Sequence, residues 1–323
     1  MNIWNEIRRI DDEAENVSKF VFTKNDAVVE SVLYKYPTYQ ERTVICCSTQ
    51  SGCPVGCRFC GTGDYFVRNL TTEEIVSQVD HSIDQTGIHA FGMKKLQIMF
   101  MSMGEPLLNL KALIPALHIL YEKYPHARLL ISTSGPKVTP EMWSKFIQTS
   151  VVIPTVGLQF SVHESTNEAR DKLVPFKAKM TLEEMSRVGY EWKMHMSCDE
   201  GQIRKPFFNY CAHDGNSSDE DADRLAKLYG PTIFNATVSV ICERNDGMPA
   251  TNDHQRQLAV DFASKLVHRG FDVRVFDPAG QDTIGGGCGQ LWFVQKWMRD
   301  NPQYAKPSVG FGLEQIHTPT KAV

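Results

Sequence analysis

The 323-residue chain lacks a basic excess: 34 Lys and Arg stand against 38 Asp and Glu, a formal net charge of −4. Proteins that grip phosphate over a whole surface carry the opposite balance, so indiscriminate nucleic-acid binding is excluded, although a local basic patch is not. A long hydrophobic run is missing too. The apolar stretch Leu96–Met101 falls far short of the roughly 20 residues that a membrane helix needs. The amino end, Met-Asn-Ile-Trp-Asn-Glu-Ile-Arg-Arg, places charge where a secretory leader would need its apolar segment. A soluble protein of the cytoplasm, with no membrane contact, is therefore expected. There is no internal repeat, no low-complexity tract and no linker long enough to separate domains. With 42% hydrophobic and 22% charged residues, the composition is that of a globular protein with a large core. Cysteine is not scarce. Nine of them, an odd number without a leader, fit metal binding or catalysis better than a disulfide framework.

Apolar β-rich runs alternate with amphipathic helical stretches. Strands are expected at Thr43–Ser48, Leu96–Met101, Arg128–Ser132, Thr155–Val162, Phe207–Ala212, Ala236–Ile241 and Phe271–Phe276. Capping-box openings at Thr71–Glu74, Thr181–Glu184 and Ser217–Glu220 start helices, and the clearest helix runs from Asp253 to Arg269 before Gly270 stops it. Such alternation implies a parallel sheet with crossover helices and reactive residues at the carboxyl ends of the strands. Lys19–Thr23 and Val28–Tyr34 form a hairpin ahead of it. The expected organisation is a short extension over 1–41, a core over 42–300 and a tail over 301–323.

The strongest chemical signal is Cys53-Pro-Val-Gly-Cys57-Arg-Phe-Cys60, directly after a strand. Three thiolates within eight residues can converge on one metal centre. A structural zinc site or an electron-transfer cluster wants a fourth ligand, whereas three leave one iron of a [4Fe–4S] cluster open. A zinc knuckle completed by Cys46, Cys47 or a distant His is the alternative. Met103-Gly104-Glu105-Pro106 follows the second parallel strand, where a glycine admits a ligand close to the backbone and a carboxylate can bind an ammonium group. Ser132-Thr-Ser-Gly135 ends the third strand and Ser161-Val162-His163 the fourth. Alone, each of these reads as a turn, a cap or a structural histidine. Near the carboxyl end, Gly285-Gly-Gly-Cys288-Gly289 sets a thiol among glycines with no local side chain to bury it.

The ordered set resembles the RlmN/Cfr family of radical S-adenosylmethionine RNA methyltransferases, which act on C2 or C8 of adenosine. It comprises Cys46-Cys-Ser-Thr-Gln-Ser-Gly-Cys53 with the cluster loop, MGEPLLN at Met103–Asn109, STSG at Ser132–Gly135, Ser161–Pro175 and CGQL at Cys288–Leu291. The resemblance implies an α/β fold, a partial (β/α) barrel of the radical S-adenosylmethionine type with a short N-terminal β-hairpin extension. It implies a [4Fe–4S] cluster on Cys53, Cys57 and Cys60, and S-adenosylmethionine contacts from Gly104, Glu105, Ser132, Ser161, Val162, His163 and Asn245. It further implies Cys288 as the methyl-carrying thiol, Cys46 as the thiol that closes a transient disulfide with it, and Glu30 as the proton acceptor. The reading of Glu30 from the residues alone is a solvated strand-edge carboxylate. Ribosomal or transfer RNA is the implied substrate, an electron donor such as flavodoxin or ferredoxin the implied partner, and a monomer the implied state.

The sequence departs from the family at Ser102, where a glycine is usual, and in the three glycines before Cys288. Only 45 residues precede Cys46, too few for the family's helical RNA-binding domain, so a smaller RNA or a helper protein is expected. Arg170–Lys179 and Arg204–Lys205 offer phosphate contacts or solvated helix faces. Cys47, Cys198, Cys211 and Cys242 read as packing residues. Competing readings are a radical S-adenosylmethionine enzyme with another substrate, and a metal-stabilised RNA-binding protein without turnover.

Overall fold

A computed structural model describes residues 3–196, 204–240, 253–277, 280, 283–285 and 291–308. The strands are β1 (Glu6–Asp11), β2 (Val17–Lys24), β3 (Ala27–Lys35), β4 (Thr43–Cys47), β5 (Gln50–Gly52), β6 (Tyr65–Asn69), β7 (Leu96–Phe100), β8 (Arg128–Thr133), β9 (Val156–Ser161), β10 (Phe207–Ala212), β11 (Asn235–Val240), β12 (Val273–Phe276) and β13 (Lys306–Pro307). Ten of them form one open sheet in the order β1-β2-β3-β4-β7-β8-β9-β10-β11-β12, and β13-β6-β5 form a small second sheet. From β4 to β12 every pairing is parallel, and β1 to β4 pair antiparallel. The architecture is the expected partial barrel, and the expected hairpin is β2–β3.

The crossovers are α1 (Thr72–Asp84), α2 (Leu110–Lys123), α3 (Pro140–Val152), α4 (Asn167–Leu173), α5 (Leu182–His195), α6 (Asp219–Tyr229) and α7 (Asp253–His268), followed by α8 (Trp292–Asp300). Thr71 with Glu74 and Thr181 with Glu184 form reciprocal capping boxes, as their spacing predicts. The box of α6 lies one residue later than expected, on Ser218 and Asp221. Ser217 is unavailable because its Oγ donates to His213 O at 2.9 Å.

The strands are apolar on both faces because helices cover one side and the barrel interior the other. β1 and the short β5 and β6 escape the sequence pattern, and β12 is two residues shorter at its start than Phe271–Phe276. Phe271 instead packs edge-on against Phe208, 5.3 Å between ring centres. The chain after β12 returns to the other end of the sheet. Ile284 packs against Val17, Val32, Tyr34 and Val44 of β2, β3 and β4.

Candidate functional site

The cysteine loop is built between β5 and β6. Cys53 N donates to Tyr65 O at 2.8 Å, Cys60 N to Cys57 O at 3.1 Å, and Ser308 Oγ to Cys53 O at 2.6 Å. Gly56 turns the loop at φ +77°, a conformation that a side chain would strain. The three thiols line one cavity of about 100 Å³ together with Gly104, Glu105, Ser132, Ser161 and His163. Burial, with the Cys57 and Cys60 thiols beside it, holds the Cys53 thiol well above its usual pKa. Such thiols ionise only against a strongly cationic centre.

MGEP is strapped to the segment ahead of the loop. Thr49 N donates to Met103 O at 2.9 Å and Glu105 N to Gln50 Oε1 at 2.7 Å. Gly104 sits at φ +91°, and a Cβ there would lie 2.8 Å from Gln50 N, so only glycine fits. The Glu105 carboxylate accepts from Thr133 Oγ1 at 2.5 Å, Ser134 N and Oγ at 2.7 Å each, and Leu107 N at 3.0 Å. It therefore ties the end of β7 to the end of β8 at the cavity wall. Burial pushes this carboxyl up, and its donors oppose that.

His163 holds φ +62°, rare outside glycine, with its ring edge-on to Phe59 at 4.9 Å. Burial drives its pKa down to about 3, so the imidazole is neutral, and its Nδ1 is buried with no partner. A ligand that donates to this nitrogen would satisfy it. Ser132 Oγ lies 3.5 Å from Ser161 Oγ. Val162 does not line the cavity: its N–H donates to Asn209 O and its carbonyl accepts from Arg170 Nε. Asn245 and Cys288 lie outside the described residues, as do Cys198 and Cys242.

A second cavity, of about 390 Å³, holds Cys46 and Glu30. Met101, Ser102, Asn209 and Phe276 line both cavities, so the two adjoin. Glu30 is not a solvated edge carboxylate. It is 1% exposed and pairs with the wholly buried Lys19, Nζ to Oε1 at 3.0 Å, while Oε2 has no partner. Burial pushes the Glu30 carboxyl up against the pull of Lys19. Lys19 Nζ also donates to Gly285 O at 2.6 Å, and Leu291 lines the same cavity. Of the described flanks of the Cys288 stretch, Leu291 lines the Glu30–Cys46 cavity and Gly285 is tied to Glu30 through Lys19. Ser102 donates to Glu30 O at 2.8 Å, which gives this departure from the usual glycine a role.

Sequence reasoning missed Lys19, Ser102 and Asn209. A lysine inside the apolar run of β2, across a hairpin from a glutamate inside the apolar run of β3, is the signal that was there. Cys211 and Cys47 are buried, as expected of packing residues, and Cys211 also lines the cysteine cavity. One expectation needs correction. Arg170 is buried, its guanidinium donating to the carbonyls of Val162, Met180, Ser134 and Ser161 at 2.6–3.2 Å. Arg204 likewise donates to Val156 O and Ser150 O, and Lys205 to Pro231 O. These cations hold loops together and do not form a phosphate patch.

The sequence pattern of the Radical SAM superfamily matches residues 47–197. A protein of Thermotoga neapolitana named "Probable dual-specificity RNA methyltransferase RlmN" is 34% identical over 87% of this chain and 77% of its own length. The chain belongs to the RlmN family of radical S-adenosylmethionine proteins. The RlmN protein of Syntrophotalea carbinolica is 31% identical over 87% of the chain and 71% of its own length. In three dimensions the chain resembles a radical SAM methyltransferase from Sphaerobacter thermophilus, with TM-score 0.74 and 28% identity over 90% of this chain and 81% of that one. Family membership implies a [4Fe–4S] cluster and S-adenosylmethionine. The chemistry of the donor set fits, since three thiols line one cavity, while Cys47, offered as a fourth zinc ligand, lies in the apolar core and Cys46 lines the neighbouring cavity; among the described residues no three such side chains are drawn together as closely as ligands of one ion. Among the described residues no helix is long and apolar enough to cross a membrane.

Proposed function

We propose that this chain methylates an adenosine, at C2 or C8, in ribosomal or transfer RNA. Cys53, Cys57 and Cys60 would hold the cluster, with Gly104, Glu105, Ser132, Ser161 and His163 around the S-adenosylmethionine and Asn245 as its further contact, whereas Val162, turned away from the cavity, would not touch it. A cluster held there, reduced by a donor of the flavodoxin or ferredoxin kind, would supply the electron that cleaves S-adenosylmethionine to methionine and a 5′-deoxyadenosyl radical. The amidine carbons of adenine are electrophilic, so the methyl group cannot arrive as a sulfonium electrophile. The Cys288 thiolate instead takes a methyl group from one S-adenosylmethionine and presents it to the base, losing a hydrogen atom from it to the radical.

The resulting C–C bond tethers RNA to the protein, and the unpaired electron left on the adduct would return to the oxidised cluster as the ring-carbon proton is lost. Release needs a proton acceptor and a thiol. Glu30 takes the proton from the substituted ring carbon, a role that suits a carboxylate raised by burial with one oxygen uncommitted. The Cys46 thiolate attacks the Cys288 sulfur, the sulfur–carbon bond breaks, and the electron pair passes to the methylene carbon and the ring conjugated with it, which takes up a proton so that the base leaves carrying a methyl group. The disulfide is then reduced for the next turnover. The observation that carries this reading is one cavity holding Glu30 and Cys46, walled by residues shared with the three-cysteine cavity.

The test is anaerobic reconstitution with iron, sulfide, S-adenosylmethionine and reductant, followed by nucleoside mass spectrometry of treated RNA. Methyladenosine with wild type and a trapped protein–RNA adduct with Cys46→Ala are expected. Full turnover by Cys46→Ala without an adduct overturns the release step, and reconstituted protein that binds zinc but no iron overturns the reading altogether.

A further inference from the structure

The amino ends of β4 and β7 carry a platform that the site itself leaves without a role. The β3–β4 connection folds back on itself, Tyr36 N donating to Arg42 O at 3.0 Å and Arg42 N to Thr38 O at 3.1 Å. It is locked to the segment ahead of β7 by Lys94 N to Gln40 O at 2.7 Å and Thr43 N to Lys95 O at 2.9 Å. On this fixed frame Lys35, Tyr36, Arg42, Lys94 and Lys95 line an open groove. Tyr36 and Arg42 also line the Glu30–Cys46 cavity, so the groove leads into it.

The chemistry of the platform is specific. Tyr36 stacks on Tyr34, 6.1 Å between ring centres and 14° between planes, and the Arg42 guanidinium lies over the Tyr36 ring at 5.1 Å. Arg42 is held there by Nε donating to Gln97 Oε1 at 2.9 Å. Four cations meet one carboxylate in the lining, Glu41, which Lys94 already engages at 2.5 Å. Arg274 joins them from the amino end of β12, on the wall of the cavity. On the β1–β2 turn Ala14 and Asn16 line the groove, and the neighbouring Glu13 and Glu15 are exposed. In a chain of net charge −4 this is a local reversal of sign. Of the other cations that the sequence offered for phosphate, Arg170, Arg204 and Lys205 are spent on backbone carbonyls and Lys179 pairs with Asp171.

We infer that this groove seats a single-stranded RNA segment, its phosphates along Lys35, Lys94 and Lys95 and the base next to the target stacked at Tyr36 and Arg42. Backbone charge with aromatic stacking is how single strands are held without sequence readout. The neighbouring base then enters the cavity of Glu30 and Cys46. The inference rests on the RNA reading proposed above and deepens it by assigning the surface.

The probe is a fluorescein-labelled 12-nucleotide single-stranded RNA with one central adenosine, titrated by anisotropy against the reconstituted full chain over a range of salt. Tyr36→Ala is expected to weaken binding about tenfold. Lys35→Gln with Lys95→Gln is expected to flatten the plot of log K against log salt by roughly 1.4, two single-strand phosphate contacts at about 0.7 each. The charge-matched pair Lys123→Gln with Lys145→Gln, on α2 and α3, is expected to change neither. Thermal melts within a few degrees of wild type show that the exposed lysine variants fold. Wild-type affinity and salt slope in both groove variants, or no binding of the probe by wild type, overturn the groove. Methylation of total RNA by the wild type is scored separately: if it proceeds while the groove variants bind normally, the groove fails and the function stands.

Discussion

Replacing Lys19 with Met removes a buried cation and leaves its surroundings in place. In the native protein Lys19 Nζ satisfies Glu30 Oε1 at 3.0 Å and Gly285 O at 2.6 Å, and its charge lies 5.8 Å from the Phe293 ring centre. Methionine fills most of the volume but donates nothing. Glu30, 1% exposed and already with Oε2 unpartnered, would then carry a buried charge without a counter-ion. Breaking a buried pair from one side costs about 3–5 kcal/mol, because the remaining charge is uncompensated. For a chain of 323 residues that corresponds to a fall in Tm of roughly 4–7 °C.

The pH dependence separates this cause from a packing defect. The Glu30 carboxyl is already raised by burial, and loss of Lys19 raises it further. A group whose folded pKa lies above its unfolded value, 4.5 for glutamate, lends stability below that value and loses it as pH rises through the folded pKa. The Lys19→Met deficit is therefore expected to be smallest at the acid end of the range and to grow as pH rises towards 8. Adding Glu30→Gln to Lys19→Met should recover most of the loss at pH 8, because the uncompensated charge has gone. Calorimetric melts of the four proteins of this cycle at pH 5, 6.5 and 8 give the measurement. A deficit equal at pH 5 and pH 8, or one that Glu30→Gln deepens, would refute the argument.

Arg170→Met strands four buried carbonyls around the β9 end, and a loss of at least about 3 kcal/mol is expected in chemical denaturation. Gly104→Ala forces a Cβ to 2.8 Å from Gln50 N at φ +91°, and should abolish S-adenosylmethionine binding measured by equilibrium dialysis while the chain still folds, at a cost of about 1–3 kcal/mol. Ser218→Ala removes the cap of α6, which should cost about 1 kcal/mol, whereas Ser217→Ala should cost less; equal losses would return the cap to the earlier serine.

What could be read from the sequence was local, and what could not was relational. The cysteine loop, MGEP, STSG and the Ser161–His163 end each occupy a few consecutive residues after a strand, so spacing alone exposes them. The fold followed from the alternation of β runs with capped helices. β1 hid because an edge strand, Glu-Ile-Arg-Arg-Ile-Asp, needs only two apolar residues, and β5 because Gln-Ser-Gly carries no β preference.

Burial of charge is relational in a stricter sense. Arg170 looked like a piece of a basic surface because composition records charge but not what lies above it; four carbonyls converge on it only after β8, β9 and α4 have assembled. Lys19 is opposite Val32 in the β2–β3 ladder and Glu30 is opposite Val21, so the two lie one diagonal apart on a single face. Each alone is a polar residue interrupting an apolar strand, an inconsistency with the pattern. Together, once the hairpin register is set, they satisfy each other and leave one carboxylate oxygen facing the cavity of Cys46. Two such interruptions at paired positions of a predicted hairpin therefore mark an internal ion pair, and where one strand leads to a reactive thiol, they mark the base that serves it.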